Sequence, residues 1–107
     1  MYLMVYMTAA DEDEARRIAR ALVEERLAAC VNILGRIESV YHWKGEVQAS
    51  EEIAFLAKTA DACFDALAAR VRELHSYELP CLVAVPLERG EAAFLNWIGE
   101  NVKRNPA

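Results

Sequence analysis

The chain has few of the residues that mark a disulfide framework, a structural zinc site or a flexible linker. Its three cysteines are odd in number and no two of them form a C-x-x-C pair, so neither disulfides nor a zinc ribbon is indicated. Only four glycines and three prolines occur in 107 residues, and no repeat or low-complexity segment is found in the sequence. We therefore expect a single domain over residues 1–107, large enough to form its own core.

Basic runs and long apolar runs are missing as well. The net charge is −5 and the lysines and arginines do not cluster, so a surface for nucleic acid or for an acidic membrane is not expected. The apolar run at residues 2–7 is too short to span a membrane and lacks the preceding positive charges of a signal peptide. We interpret this run as a strand, and we expect a cytoplasmic protein.

Hydrophobic residues make up 55% of the chain, and their spacing predicts a regular series of strands and helices. Asp11 is predicted to cap a first helix, with Glu14 completing a capping box, and this helix is expected to end near Leu27. Asp61 is predicted to cap a second helix that ends at His75. The other predicted elements are a strand at residues 2–7, a hairpin at 29–59, a strand at 81–85, and a last helix at 91–102 that buries Phe94, Leu95, Ile98 and Val102.

This order, β-α-β-β-α-β with an additional C-terminal helix, is typical of an α+β protein with a ferredoxin-like, split βαβ sandwich. In that fold two helices cover one face of an antiparallel sheet and leave the other face bare. The predicted strands carry apolar residues on both faces. We therefore expect the second face to be covered by a partner.

The predicted hairpin at residues 29–59 is long for a chain of this size. Its first arm ends at Trp43, the chain turns at Lys44 and Gly45, and Gly35 predicts a bulge or a bend within that arm. An arm of about fifteen residues spans roughly 45–50 Å. A compact domain of this length is only about 35 Å across. An overhanging ribbon with exposed aromatic residues would aggregate unless another chain covered it, so the hairpin predicts an obligate oligomer.

Five short segments occur in a fixed order along the chain: residues 27–33, the pattern Ser39-x-Tyr41-x-Trp43-x-Gly45, Glu52 with Lys58-Thr59, the pattern His75-x-Tyr77-Glu78-x-Pro80, and Phe94-Leu95-x-Trp97-Ile98. Together they resemble the CutA divalent-cation tolerance family over essentially the whole chain. The resemblance implies a ferredoxin-like subunit in a tight homotrimer, with the long hairpins reaching onto neighbouring subunits. The family is also similar to PII signal-transduction proteins in fold and assembly. The role that it implies is tolerance to divalent metals, especially copper, in bacteria, and an anchoring role linked to acetylcholinesterase in animals.

His75 is the main candidate for a metal ligand, because imidazole is the commonest side-chain ligand of copper and zinc. The alternative is a histidine that caps the last carbonyls of the second helix. The resemblance implies a copper site made by a cysteine at the end of the first strand and two adjacent histidines. Those positions hold Met7, Leu74 and His75 here, and Ser76 stands where proline is usual. Met7 could still offer a thioether to copper(I).

Cysteines give a second interpretation of the metal site. Cys30 and Cys81 each begin a predicted strand and are expected near one end of the sheet, where they and His75 would form a soft-metal cluster. The alternative is that both are small buried hydrophobes, as Cys63 on the second helix is expected to be. The candidate metal ligands are therefore His75, Met7 and Cys81, for copper or another divalent ion that is not obligatory.

A further set of residues predicts a cleft between subunits. Tyr41 and Trp43 share one face of the hairpin with Ser39, and they are expected to pack beneath a neighbouring subunit. Glu52 and Lys58 lie in strands that their neighbours largely bury, where an unpaired charge would cost several kcal/mol, so both need partners. The predicted set for this cleft is Cys30, Ser39, Tyr41, Trp43, Glu52, Lys58, Tyr77 and Glu78.

No catalytic motif is found: the sequence has neither G-x-S-x-G, nor a phosphate loop, nor H-E-x-x-H. Three hypotheses follow. The chain is a homotrimeric divalent-cation tolerance protein that binds metal weakly without catalysis, a PII-like sensor with a small molecule between subunits, or an enzyme that uses His75 or Glu78 as an acid or base. We prefer the first, a protein that is not an enzyme and for which no nucleic acid, membrane or other protein partner is indicated.

Overall fold

The computed structural model describes residues 1–104, and its elements follow the predicted order with one short addition. They are β1 (Tyr2–Ala9), α1 (Glu12–Glu24), β2 (Cys30–Trp43), β3 (Glu46–Ala60), a 3₁₀ turn (Asp61–Cys63), α2 (Phe64–Leu74), β4 (Leu82–Pro86) and α3 (Ala92–Glu100). The four strands form one antiparallel sheet in the order β2-β3-β1-β4. This order is that of the split βαβ arrangement, so the predicted ferredoxin-like fold is confirmed.

The core lies between α1, α2 and one face of the sheet. Successive side chains of a strand point to opposite faces, so alternate residues of β1 and β3 all face the two helices. The buried side chains of this core include Leu3, Val5, Met7, Phe55 and Ala57 from the strands, and Ile18, Leu22, Leu67 and Val71 from the helices. The helix α3 packs through Ile98, and the segment after it through Val102, at the end of the sheet where β1 begins.

The opposite face of the sheet carries neither α1 nor α2, and we call it the open face. Val83 and Val85 on this face are 57% and 49% exposed. The residues that point to it from the main part of the sheet include Met4, Tyr6, Thr8, Glu52, Ala54, Leu56, Lys58, Val83 and Val85. The face that the sequence predicts to be bare is therefore bare in the single chain.

The hairpin of β2 and β3 extends well beyond the rest of the sheet. β1 pairs with β3 only as far as Ile53, which is opposite Arg36, so residues 37–52 project past it. The chain measures 44 × 26 × 23 Å, and no residue from 30 to 51 is buried. The predicted overhang is confirmed.

Two glycines shape this hairpin as predicted. Lys44 and Gly45 form its two-residue turn with φ angles of +51° and +83°, and a turn of this kind matches the twist of the strands. Gly35 has a φ of +122°, and the pairing register shifts between Ile33 and Gly35 because Leu34 is an extra residue in β2. This shift is the β-bulge that Gly35 predicted.

The helices differ from the predictions in some of their boundaries and in one buried residue. Asp11 caps α1 as predicted, since its carboxylate accepts the N–H of Glu14 at 2.8 Å. Asp61 does not cap α2, because the chain enters that helix through a 3₁₀ turn; within residues 1–104 no side chain caps it. The prediction that Phe94 is buried was wrong: it is 41% exposed and stacks on Trp97, because α3 meets the sheet only along the narrow stripe of Ile98.

The first helix ends at Glu24, earlier than predicted, because the chain reverses direction at Arg26. Arg26 has a φ of +59°, in the left-handed region that side chains with a Cβ atom rarely adopt. The N–H of Leu27 bonds to the carbonyl of Leu22 at 2.9 Å, and the N–H of Arg26 bonds to Val23 at 3.1 Å. These two bonds are those of a Schellman motif, whose left-handed position is usually occupied by glycine.

None of the helices in residues 1–104 is long and apolar enough to cross a membrane.

We predict that Arg26→Gly stabilises the protein. Glycine adopts a positive φ without steric cost, and after its greater chain entropy in the unfolded state is subtracted, the expected gain is about 0.5–1 kcal/mol. Urea denaturation at one protein concentration measures the gain. Arg26→Ala is the control, since it removes the same side chain but keeps the Cβ atom; an equal gain in both variants would contradict the backbone explanation.

Candidate functional site

His75 lies at the end of α2 and is held from both sides of its ring. The side chain is fully buried. Its Nε2 lies 2.7 Å from the carbonyl oxygen of Thr8 in β1, and its Nδ1 accepts the N–H of Tyr77 at 3.0 Å. Because Nδ1 accepts a hydrogen bond, the ring proton is on Nε2 and is donated to Thr8. Both ring nitrogens are therefore engaged, and the side chain does not reach the last carbonyls of α2 as the capping interpretation required.

Glu14 is the second buried group at this end of the sheet. Its side chain is 5% exposed, its Oε1 accepts the N–H of Ala10 at 2.9 Å, and its Oε2 accepts the N–H of Ser76 at 2.8 Å. The predicted capping box is thus present in altered form, because the carboxylate reaches the residue before Asp11 instead of Asp11 itself. Oε1 also lies 3.8 Å from the Nδ1 of His75. The carboxylate therefore connects the start of α1 to the segment after α2.

The ionisation of Glu14 reflects these contacts. Burial alone would raise the pKa of the carboxyl group. The hydrogen bonds from Ala10 and Ser76 outweigh burial and hold this pKa below its ordinary value. The native structure consequently favours the charged form of Glu14.

Tyr77 connects this buried pair to the open face. Its ring lies 4.5 Å from the ring of His75, and its hydroxyl donates a hydrogen bond to Oε2 of Glu52 at 2.9 Å. Burial, and then the hydrogen bond and charge of Glu52, raise the pKa of Tyr77 above its ordinary value, so the phenol stays protonated. Glu52 is only 9% exposed; its Oε1 has no hydrogen-bond partner within residues 1–104, but this oxygen reaches solvent.

Cys81 lies at the same end of the open face. It is next to the hydroxyl group of Thr8 and within electrostatic reach of Glu52. Burial and then the charge of Glu52 raise the pKa of its thiol, and the hydrogen bond with Thr8 offsets this only in part. The thiol must therefore lose a proton before it can bind a metal ion, which weakens any site that includes it.

The structure does not bring the other predicted ligands to this place. Met7 is fully buried beneath α1 and α2, on the face of the sheet opposite to Cys81. Cys30 and Cys81 lie at opposite ends of the sheet, because β2 and β4 run in opposite directions; Cys30 is paired with Lys58. Among the described residues, no three His, Cys, Asp or Glu side chains are close enough to hold one metal ion.

The remaining residues of the predicted cleft are spread along the hairpin. Tyr41 and Trp43 share the open-face side with Ser39, as their period of two predicts. The hydroxyl group of Tyr41 lies 3.1 Å from that of Ser50. Lys58 finds its partner within the chain, by donating to the side chain of Asn32. Glu78 is exposed, in the segment that follows Tyr77.

The cluster that the fold assembles is therefore Glu14, His75, Tyr77, Glu52 and Cys81. Sequence reasoning missed the part played by Glu14, for which the capping-box spacing was the one available signal. The carbonyl group of Thr8 carries no sequence signal, because any residue at that position has one.

Two open grooves flank the cluster. One of about 400 Å³ lies between the first turn of α1 and the base of the hairpin, and it is lined by the charged residues Asp11, Glu12, Asp13, Arg16, Arg36, Glu51 and Glu52. The other, of about 460 Å³, lies along α1 and β2, where Arg16, Arg17 and Arg20 surround Val23, Val31 and Ile33. Both grooves mix acidic and basic groups, and Arg16 contacts Asp13 at 2.9 Å within its own helix. The first groove has five carboxylates against two arginines and so favours cations, whereas the second has three arginines against one glutamate and favours anions.

Comparisons with known proteins agree on one family. The model of the CutA1 divalent ion tolerance protein family matches residues 3–101. The chain is 47% identical to the divalent-cation tolerance protein CutA of Thermus thermophilus over 92% of its length and 95% of the relative. The solved structure of the T. thermophilus protein superposes with a TM-score of 0.94 at 46% identity, covering 96% of this chain and 100% of that one. A structure described as the periplasmic divalent cation tolerance protein CutA of Archaeoglobus fulgidus gives 0.93 at 44% identity, with the same coverage of both chains.

We predict that Glu14→Gln destabilises the protein by about 1–3 kcal/mol, the cost of leaving a buried backbone donor without an acceptor. The carboxylate accepts one N–H group on each oxygen, whereas the amide of glutamine offers one oxygen and turns its NH₂ group towards the other donor. Urea denaturation measures the loss. Glu12→Gln in the same turn is the control; its side chain is exposed and only 3.6 Å from Arg16, so a change within about 0.5 kcal/mol is expected.

The pH dependence of the same pair of proteins tests the cause. Because the folded state lowers the pKa of Glu14, its contribution to stability is fully present above the ordinary carboxyl value of 4.5 and is lost as the pH falls through the folded value. The advantage of the wild type over Glu14→Gln should therefore be constant near neutrality and shrink in acid. An advantage that stays constant or grows in acid would contradict the assignment.

Proposed function

The chain belongs to the CutA1 divalent ion tolerance protein family, and from this premise we propose that it is a non-catalytic homotrimer that binds copper or another divalent cation weakly on its open face. Glu52 is the observation that carries the proposal. It is a nine-tenths buried side chain on the face that the helices leave bare, with one carboxylate oxygen on Tyr77 and the other open to solvent. An oxygen of a carboxylate that is partly desolvated and still reached by solvent is a place where a cation can bind weakly.

The neighbouring groups account for weak and non-obligatory binding. Cys81 is a soft ligand suited to copper, but its raised pKa means that a bound metal must displace its proton. Glu52 and Cys81 are two ligands, fewer than a tight copper or zinc site uses. His75 is not part of the proposed site, since both of its ring nitrogens are engaged, and Met7 is excluded by its burial on the other face.

Exposed apolar surface supports assembly of the subunits. The projecting hairpin exposes Val40 and Val47 by 66% and 67%, and β2 exposes Leu34 by 59%. The open face adds Val83 and Val85. These exposed apolar side chains lie both on the projecting hairpin and on the open face. A subunit that stayed monomeric in water would not be expected to expose apolar residues over so much of its sheet.

The edges of the sheet support a ring. β2 and β4 are its two edge strands, and they run in opposite directions. If β4 of one copy pairs with β2 of a second copy in the same orientation, the new pair is antiparallel like every other pair in the sheet. Repeating this head-to-tail contact turns every open face inwards and leaves no free edge once the ring closes. A ring of three is the size that the family resemblance implies.

The location of the protein in the cytoplasm and the absence of catalysis stay predictions. The A. fulgidus relative is described as periplasmic, so membership of the family does not decide the compartment.

Metal binding is tested by isothermal calorimetry with Cu²⁺ and Zn²⁺. We expect binding in the micromolar range for the wild type and a loss of about tenfold or more in Glu52→Gln, because an amide oxygen carries no charge. Glu51→Gln is the matched control, since Glu51 is the adjacent residue on the other face of β3 and is exposed. Equal losses in both variants, or no metal heat above buffer in the wild type, would refute the site; heat with ATP instead would favour the PII-like alternative.

Assembly is tested with Trp43→Ala. Trp43 lies near the tip of the hairpin on the open-face side and is half-buried in the single chain. If a neighbouring subunit covers it, the substitution should weaken the trimer and lower its stability by a few kcal/mol per subunit. Light scattering and thermal melting at several concentrations measure both effects. His42→Ala on the other side of the same ribbon is the control, and an unchanged trimer in Trp43→Ala would show that the tip is not covered.

A further inference from the structure

The projecting part of the hairpin, residues 37–52, extends beyond the rest of the sheet, and we call it the ribbon. Its seven residue pairs run from Ile37 with Glu52 to Trp43 with Glu46, and β1 ends one pair earlier, opposite Ile53. At about 3.3 Å per residue these pairs reach roughly 23 Å past the sheet. An isolated two-stranded hairpin is only marginally stable in water, so the direction of the ribbon depends on what holds its base.

Two features leave the base of the ribbon free to bend. The bulge at Leu34 disrupts the pairing of β2 with β3 just before the ribbon begins. On the side of the helices, an open groove of about 400 Å³ separates the first turn of α1 from the base of the hairpin. The salt bridge of 3.9 Å between Arg36 and Glu51 spans this base, but it joins only the two arms of the hairpin to each other. Support for the ribbon must therefore come from the open face.

The hydrogen bond between Tyr77 and Glu52 gives that support. The hydroxyl group of Tyr77 donates to Oε2 of Glu52 at 2.9 Å, and Glu52 belongs to the first pair of the ribbon. Within residues 1–104, no other hydrogen bond or ion pair joins the ribbon to a residue outside the hairpin. The contact of 3.1 Å between the hydroxyl groups of Tyr41 and Ser50 lies inside the ribbon itself.

Tyr77 is well placed to act as an anchor because the core of the domain fixes its position. Its backbone N–H donates to Nδ1 of His75 at 3.0 Å, and its ring lies 4.5 Å from the ring of His75. The side chain of His75 is fully buried, and its Nε2 contacts the carbonyl oxygen of Thr8 in β1. The place of the Tyr77 hydroxyl is therefore set by groups that do not belong to the hairpin.

We infer that Tyr77 is a positioning residue of the assembly: its hydrogen bond to Glu52 braces the base of the ribbon and fixes the direction in which the ribbon leaves the domain. A braced ribbon meets a neighbouring subunit already in its bound orientation, whereas a loose one must be ordered during association. The effect on assembly rests on the proposed function. The hold on the ribbon does not, because it concerns one chain only.

A distance measured within one chain tests the brace. Spin labels on Lys44→Cys in the turn and Arg20→Cys on α1 report the direction of the ribbon by pulsed electron paramagnetic resonance, after Cys30 and Cys81 are replaced by serine. Labelled chains are diluted with an excess of unlabelled chains, so that only distances within one subunit are recorded. We expect a clearly broader distance distribution in Tyr77→Phe, which keeps the ring against His75 and removes only the hydroxyl.

Three further variants separate the brace from a general loss of packing. Glu52→Met removes the acceptor and should broaden the distribution as Tyr77→Phe does, and the two changes together should broaden it no further, because they remove the same bond. Glu52→Gln keeps an oxygen that accepts the hydroxyl and should restore the narrow distribution. Tyr41→Phe is the matched control, since it removes a hydroxyl that bonds only within the ribbon, and it should leave the distribution narrow.

Light scattering over a dilution series tests the consequence for assembly. We expect subunits of Tyr77→Phe to associate about fivefold more weakly than the wild type, comparable with the cost of ordering one mobile side chain at an interface. Glu52→Gln should associate like the wild type.

The outcomes separate this inference from the proposed function. A wild-type protein that stays monomeric refutes the proposed trimer, and the label distances alone then decide the brace. A trimer in which Tyr77→Phe keeps the narrow distribution refutes the brace and leaves the proposed trimer in place. A broad distribution with unchanged association supports the hold on the ribbon and refutes its effect on assembly.

Discussion

A sheet that is covered by helices on one face only must leave its second apolar face to something else, and much of this structure follows from that constraint. The open face retains half-exposed valines in β4, and the hairpin carries the same face far beyond the domain. Burying charge on such a face requires a partner, and Tyr77 provides it for Glu52. The candidate site exists because the face that the helices leave uncovered also holds an acid.

Local features of this fold could be predicted from the sequence because their causes lie within a few residues. Lys44 and Gly45 turn the hairpin through their own backbone angles, and Asp11 caps α1 by a bond to the third residue after it. Asp61 shows the limit of the same reasoning, since a side chain suited to a cap does not decide whether the helix starts there or one 3₁₀ turn later. The prediction that Phe94 is buried was wrong for a related reason. A stripe of apolar residues on a helix predicts burial only where the surface against which the helix packs is wide enough to cover the whole stripe.

The candidate site was less predictable because its contacts join distant parts of the chain. His75 and Thr8 are 67 residues apart in sequence, and Glu14 and Ser76 are 62 apart. The sequence alone leaves both ring nitrogens of His75 free, but in the fold one contacts Thr8 of β1 and the other contacts Tyr77 in the segment after α2. The expectation for Cys30 and Cys81 depended on strand direction, which a list of strands does not contain; their strands point opposite ways, so two residues that each begin a strand end up far apart.

The bulge at Leu34 affects the direction in which the hairpin points without changing which residues pair on either side of it. β3 is continuous, so the pairs on either side of the bulge, Ile33 with Phe55 and Gly35 with Ala54, follow one another on β3 without a gap. A chain that lacked Leu34 would keep these pairs, the turn and nearly the whole length of the ribbon. It would lose the additional twist and bend that an extra residue introduces. One residue at the base of the hairpin thus sets the direction of the whole segment from Gly35 to Trp43 and of the strand paired with it.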